Sequence, residues 1–206
     1  MPLVAVIDFE TTGLSPTRGD RAIEIAVVLL EGKRVVDRFQ SLMNASQRIP
    51  AFIEALTGIT NNMLISAPQA DSVMRDASRF VGSAPLVAHN AAFDRAFWNA
   101  ELIRVGLEIS HMFACTMLVS RRLYPQAPSH KLGALVDYHG LPRAGRAHRA
   151  LADAEMAANL LCQIFDDLRN YYHIDHANHA LLMALQRCSK PLLRVWMAKH
   201  ASIACQ

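Results

Sequence analysis

The stretch VAVIDFETTGL, residues 4–14, decides how the rest of the chain is read. Its first four residues, Val4, Ala5, Val6 and Ile7, are the apolar run of a strand covered on both faces, yet the run ends in two acids, Asp8 and Glu10. Side chains alternate along a strand, so residues two apart share a face and these carboxylates stand side by side. Two like charges at the end of a buried strand repel each other and are costly to desolvate. Either the strand ends in solvent and the acids are ordinary surface groups, or a hard divalent cation, magnesium or manganese, lies between them.

Beyond this strand, the Gly- and Pro-containing run TTGLSPTRGD reads as a loop. IEIAVVLLEGKRVVDRFQSLM then gives two apolar, β-branched runs split by Glu31, Gly32 and Lys33, the pattern of a hairpin. Helical periodicity predicts a short helix from residue 51 to Gly58 and a longer one over 68–81. A short strand at 86–88 leads into a helix that ends at Gly106 and carries Asp94 in its first turn. HMFACTM reads as a fifth strand, HKLGALVDYHG as a short helix, and residues 147–168 as a long helix with an alanine-rich stripe. Strands alternating with helices, plus one hairpin, predict an α/β fold with a mixed sheet flanked by helices. In such a fold ligand groups collect at strand ends and helix starts, which brings Asp8 and Glu10 towards Asp94 and Asp153.

The chain has 206 residues, enough for one sizeable domain with an appendage, and 52% of them are apolar, which excludes a disordered composition. A net charge of +3 permits an anionic partner without requiring one. Cys115, Cys162, Cys188 and Cys205 form no CxxC pair, so neither a zinc site nor a disulfide framework is indicated. The start lacks the pattern of a signal peptide and no apolar run is long enough to span a membrane, so the expectation is a cytoplasmic protein with reduced thiols and no membrane partner.

DFETTGL, HNAAFD and HRALAD, taken together and in this order, resemble the three motifs of the DEDDh, or DnaQ-like, 3′→5′ exonucleases of the ribonuclease H-like fold. The resemblance spans roughly residues 3–165. It implies a mixed five-stranded sheet in an exonuclease domain over 1–168, followed by a C-terminal helical extension over 169–206. It further implies that Asp8, Glu10, Asp94 and Asp153 hold two divalent cations and that His148 is the general base. Five residues along a helix turn through about 140° beyond a full turn, so His148 and Asp153 face one site only if His148 precedes the regular helix.

The same resemblance points to the backbone of Thr11, Thr12 and Gly13 and the side chain of Leu14 as contacts for the terminal nucleotides. It places Ile59 and Thr60 beside the 3′ base, with Asn90 and Phe93 lining the pocket. The chain departs from many relatives at Thr57, where they carry histidine. The implied substrate is the single-stranded or frayed 3′ end of DNA or RNA, with DNA favoured. A DNA polymerase proofreading subunit, an RNA or short-oligonucleotide trimming enzyme and a catalytically silent binding subunit are the competing expectations. The lack of a clamp-binding motif favours a free-standing enzyme, and the complete set of acids opposes a silent one.

Two features lie outside the motifs. HIDHANH spaces His173, His176 and His179 three apart, which drifts around a helix and predicts a surface helix, not a metal site. The segment after residue 168 is rich in leucine, so it should pack on its own domain, form a homodimer, or dock on a polymerase subunit.

Overall fold

The structure is a computed structural model describing residues 3–145 and 148–201. Its first strand, β1 (Leu3–Thr11), pairs antiparallel with β2 (Ala22–Glu31), which folds back as β3 (Arg34–Leu42). Between the last two, Gly32 takes φ +65°, a conformation that side-chain-bearing residues avoid, and so closes the hairpin. Three short helices follow: α1 (Ala51–Thr57), α2 (Asn61–Ile65) and α3 (Ala70–Val81). The chain then re-enters the sheet as β4 (Leu86–Ala88), crosses over through α4 (Ala91–Arg104), and returns as β5 (Phe113–Cys115). The sheet order is β3-β2-β1-β4-β5, with β1, β4 and β5 parallel, which is the expected mixed five-stranded sheet.

Because β1 is covered on both faces, its residues divide by parity. Val4 and Val6, with Val28 and Leu30 of β2, pack against Ala154, Ala158, Leu161 and Phe165 of α7 (Ala150–Asn170). Ala5, Ile7 and Phe9 pack against Met74 and Ala77 of α3 and Phe97, Trp98 and Leu102 of α4. The small side chains at 150, 154, 157 and 158 are all buried and let α7 lie close to the sheet. By the same parity Asp8 and Glu10 belong to the α7 face. The strand register that fills the core therefore also aims both acids at one helix.

Between β5 and α7 lie two helices, α5 (Thr116–Leu123) and α6 (Leu132–Tyr138). The first is absent from the sequence reading, because its eight residues follow the strand without a loop and carry only two turns of apolar rhythm. The histidine-rich run is the clear correction. Residues 171–178 form turns, not a surface helix, with His173 at φ +54° and Ile174 buried. His179 opens α8 (His179–Leu185), is buried, and bonds through Nε2 to the carbonyl of Leu86 at 2.9 Å.

The segment after residue 168 packs back onto the sheet. Leu181, Leu182 and Leu185 of α8, and Met197 of α9 (Leu193–His200), join the cluster that contains Val6 and Leu161. Gln186 reaches the outermost strand, where its Oε1 accepts the amide of Cys115 at 2.7 Å and its Nε2 donates to the carbonyl of Phe113 at 3.5 Å.

Candidate active site

The carboxyl end of β1, the start of α4 and the start of α7 converge on a cleft of about 460 Å³. Asp8 and Glu10 come from the strand, Asp94 from the first turn of α4, and Asp153 from the first turn of α7. Asp94 and Glu10 are buried, 2% and 9% exposed. His148 precedes α7 at φ +60°, exposed, and its backbone amide donates to Asp153 Oδ2 at 3.1 Å. One ligand atom each from Glu10, His148 and Asp153 lie within 4.8 Å of one another.

Burial and mutual repulsion hold these acids above the ordinary carboxylate range. Burial pushes Asp8 well up, and the charges of Asp94, Asp153 and Glu10 push the same way. Glu10 is raised to about 8 by burial and then by Asp153. Asp94 reaches about 8, burial outweighing hydrogen bonds from its own backbone and that of Phe9. Asp153 is raised by burial against the opposing pull of the His148 backbone hydrogen bond. Among the described residues no lysine or arginine pairs with any of the four. Four carboxylates that form no ion pair with a lysine or arginine among the described residues are a donor set that a divalent metal ion fits.

Thr11, Gly13, Leu14, Asn90 and Phe93 line the same cleft. Asn90 enters α4 at φ +70° and makes no side-chain cap, so its amide is not engaged with the helix it precedes. Gly13 has a steric reason to be glycine: a Cβ there would sit 2.5 Å from the carboxylate of Asp20, which is itself held by the Ser15 amide at 2.8 Å. Thr12 turns away, buried, with its hydroxyl accepting the amide of Arg21 at 2.9 Å.

Ile59 and Thr60 do not reach the cleft. Ile59 is completely buried with Ile23, Ile49, Ile53 and Leu64, and the Thr60 hydroxyl caps α2 by accepting the Met63 amide. Thr57 is buried too, donating to the carbonyl of Ile53 and accepting from the amide of Ile59, so it offers nothing to a ligand. The apolar wall comes instead from the preceding helix, where Phe52 (65% exposed) and Leu56 (46% exposed) face the cleft together with Ile53.

Two further residues escaped the sequence reading. Glu24, on β2 opposite Glu10, is completely buried. It binds the Arg149 guanidinium through both oxygens at 2.8 and 3.1 Å and accepts the Ala150 amide at 3.0 Å. A lone acid inside the apolar run IEIAVV was the signal for it. His89 lines the cleft and is fixed at both nitrogens. Its Nε2 faces the carbonyl of His130 at 3.0 Å and so carries the proton, leaving Nδ1 to accept from the Thr116 hydroxyl at 2.9 Å. Burial pushes its pKa down to about 4, so it stays neutral.

Strand and helix starts that gather four carboxylates around one cleft, with a histidine beside two of them, define a class: hydrolases that carry divalent metal ions on acidic side chains at the end of an α/β sheet. The chain belongs to the Exonuclease family, whose profile matches residues 5–161, and within it to the DEDDh type of 3′→5′ exonucleases. It is 35% identical over 179 residues to a DNA polymerase III PolC-type of Bacillus cereus, covering 85% of this chain and 12% of that protein. To the 3′-5′ exonuclease DinG of Bacillus subtilis it is 37% identical over 165 residues, covering 80% of this chain and 18% of that one. The chain thus spans less than a fifth of the length of either relative, 12% and 18%. Exonuclease X in complex with 5′ overhanging duplex DNA superposes with a TM-score of 0.69 at 27% identity, covering 89% of this chain and 99% of that one. Members of the family use divalent metal ions. Among the described residues no helix is long and apolar enough to cross a membrane.

Proposed function

We propose that this chain is a metal-dependent 3′→5′ exonuclease that hydrolyses the terminal phosphodiester bond of a single-stranded or frayed 3′ end and releases nucleoside monophosphates. The observation that carries the reading is the convergence of Asp8, Glu10, Asp94 and Asp153 in one cleft with His148 beside two of them. DNA is the favoured substrate, because the proteins it resembles include a DNA polymerase, the DinG exonuclease and an enzyme bound to duplex DNA.

The four acids hold two ions, magnesium or manganese, whose chemistry when bound is to make water acidic and to stabilise the departing 3′ oxygen. His148 takes the proton of the attacking water on a ring nitrogen, and its position outside the helix lets it approach Glu10 and Asp153 without bending α7. Arg149, fixed by Glu24, anchors the other end of that short segment. Leu14, Phe52, Leu56 and Phe93 offer an apolar surface to the terminal base, a contact that tolerates any base because each has a π face. Gly13 lets the backbone after β1 come close to the sugar and phosphate.

The protein acts in the cytoplasm as a free-standing enzyme in this reading. The likeness to the polymerase relative supports a second one, proofreading beside a polymerase. The deciding experiment supplies magnesium and matched single strands of DNA and RNA labelled at either end. Release of labelled mononucleotide from the 3′ label, and a ladder shortening by single steps from the 5′ label, is expected. Internal cuts or no cleavage would overturn the reading, and faster removal of a mismatched 3′ end in the presence of a polymerase would favour proofreading.

A further inference from the structure

A second cavity, of about 420 Å³, opens on the other end of the molecule. Asp167 lies at its wall, 14 residues along α7 from Asp153, and so about 21 Å from the catalytic cleft at 1.5 Å per residue. Tyr124, Tyr138, Tyr171, Tyr172 and His139 line it too, beside Leu123, Gln126 and Gln163. Tyr124 and Tyr138 each meet His139 edge-on, at centroid distances of 4.3 and 4.8 Å, so this wall is prebuilt.

Three features give the cavity one electrostatic sign. Asp167 is buried, 6% exposed, and accepts one hydrogen bond on each oxygen, from the Tyr124 hydroxyl at 2.7 Å and from Gln163 at 2.8 Å. Each carboxylate oxygen has capacity for another, and among the described residues no lysine or arginine lines the cavity. Three helices end there: Tyr124, His139 and Tyr171 are the C-cap residues of α5, α6 and α7, and the carboxyl end of a helix is its negative end. The faces of tyrosine rings are negative as well. Nε2 of His139 is also buried without a hydrogen-bond partner among the described residues. A phosphate or a carboxylate would be repelled from such a place, and an aliphatic group would leave Asp167 and His139 buried without recompense.

We infer that this cavity is a binding site for an organic cation, a guanidinium or alkylammonium group that lies against the tyrosine rings and gives its N–H bonds to Asp167. Ring faces and a desolvated carboxylate are the two elements by which proteins recognise such groups. The cation is either a free polyamine or the side chain of a basic residue on a partner protein, and the two have the same chemistry at the site. The inference is independent of the nuclease reading, because no residue of the cavity lies in the catalytic cleft.

Isothermal titration of the full chain with N-acetyl-arginine amide and with spermidine, beside the uncharged isostere N-acetyl-citrulline amide, tests it. At least one cation should bind at least about tenfold more tightly than the citrulline compound. Tighter capped arginine marks a protein side chain as the natural occupant, and tighter spermidine marks a free amine. Asp167→Asn should weaken binding about tenfold or more. Tyr171→Ala, at a ring 74% exposed and therefore safe for folding, should weaken it severalfold with an unchanged melting temperature. Asp94→Asn, which touches only the catalytic acids, should leave it intact. Equal binding of the citrulline compound, no binding of either cation, or loss in Asp94→Asn with retention in both cavity variants would each overturn the assignment.

Discussion

Glu24 and Arg149 are joined across 125 positions of sequence by two hydrogen bonds, with Glu24 wholly buried and Arg149 about one-third exposed. The pair ties an interior strand of the sheet, β2, to the residue between His148 and α7. Because Glu24 also accepts the Ala150 amide, it does for this helix what an N-cap residue does elsewhere, from a strand instead of from the preceding residue.

Replacing Glu24 with alanine should therefore cost about 3 kcal/mol in urea unfolding, the range for breaking a buried ion pair by removing one partner. It should lower kcat more than it raises KM, since the helix start that carries Asp153 and follows His148 loses its anchor. Glu24→Gln, which keeps one acceptor for Ala150, should recover part of the stability. An unchanged kcat in both variants would separate this pair from the site.

The crowded acids predict how metal-free stability depends on pH. Asp8, Glu10, Asp94 and Asp153 all have folded pKa values raised above the usual 3.8 to 4.5. The folded state therefore binds protons more tightly than the unfolded chain, and stability must fall as pH rises from about 4 through about 8, the value for Glu10 and Asp94. In EDTA the melting temperature should drop across this window, and saturating magnesium should restore it at the high end. Asp8→Asn should abolish nuclease activity while flattening the metal-free slope. A slope of opposite sign in calorimetry would refute the repulsion argument.

For His148→Ala the expected loss is about 10²- to 10⁴-fold in kcat, the usual contribution of a general base. Its metal-induced rise in melting temperature should match that of the unaltered chain, because a base can be removed without touching the ligands. If that rise disappeared along with activity, His148 would be a ligand.

Phe52 is the test of the apolar wall. Its ring is 65% exposed, so Phe52→Ala should leave the melting temperature unchanged within a degree or so, yet raise KM for single-stranded DNA by roughly 5- to 150-fold if it holds a base at about 1–3 kcal/mol. An unaltered KM would move the base contact to Leu14 or Phe93.

The sequence already showed the strand that carries Asp8 and Glu10, the hairpin and the long helix, because each has a period that only one kind of element satisfies. Asp94 and Asp153 were legible through the motifs HNAAFD and HRALAD, with Asp94 already placed in the first turn of its helix. What stayed hidden depends on docking. Which face of α1 meets solvent is set by the isoleucine cluster beneath it, so Phe52 and Leu56 passed unremarked and Ile59 looked like a contact. Glu24 reads as an oddity until Arg149 arrives from the other end of the chain. The histidines at 173 and 176 lie on turns, and the residue after each, Ile174 and Ala177, is drawn into the core, a pull that spacing alone does not reveal.

The amide of Gln186 sits against the outermost strand as the peptide group of a sixth strand would, taking the hydrogen of Cys115 and giving one to Phe113. A strand left bare at that border is an invitation to any passing chain with unpaired backbone, including another copy of itself. At the opposite border, β3 discourages such pairing with the exposed charges of Arg34, Asp37 and Arg38. The three-residue β5 has no charged side chain to do so. One glutamine, delivered by the leucine-rich segment, thus fills hydrogen-bonding positions that a pairing strand would need: the part of the chain farthest from the motifs closes the border of the sheet on which they are built.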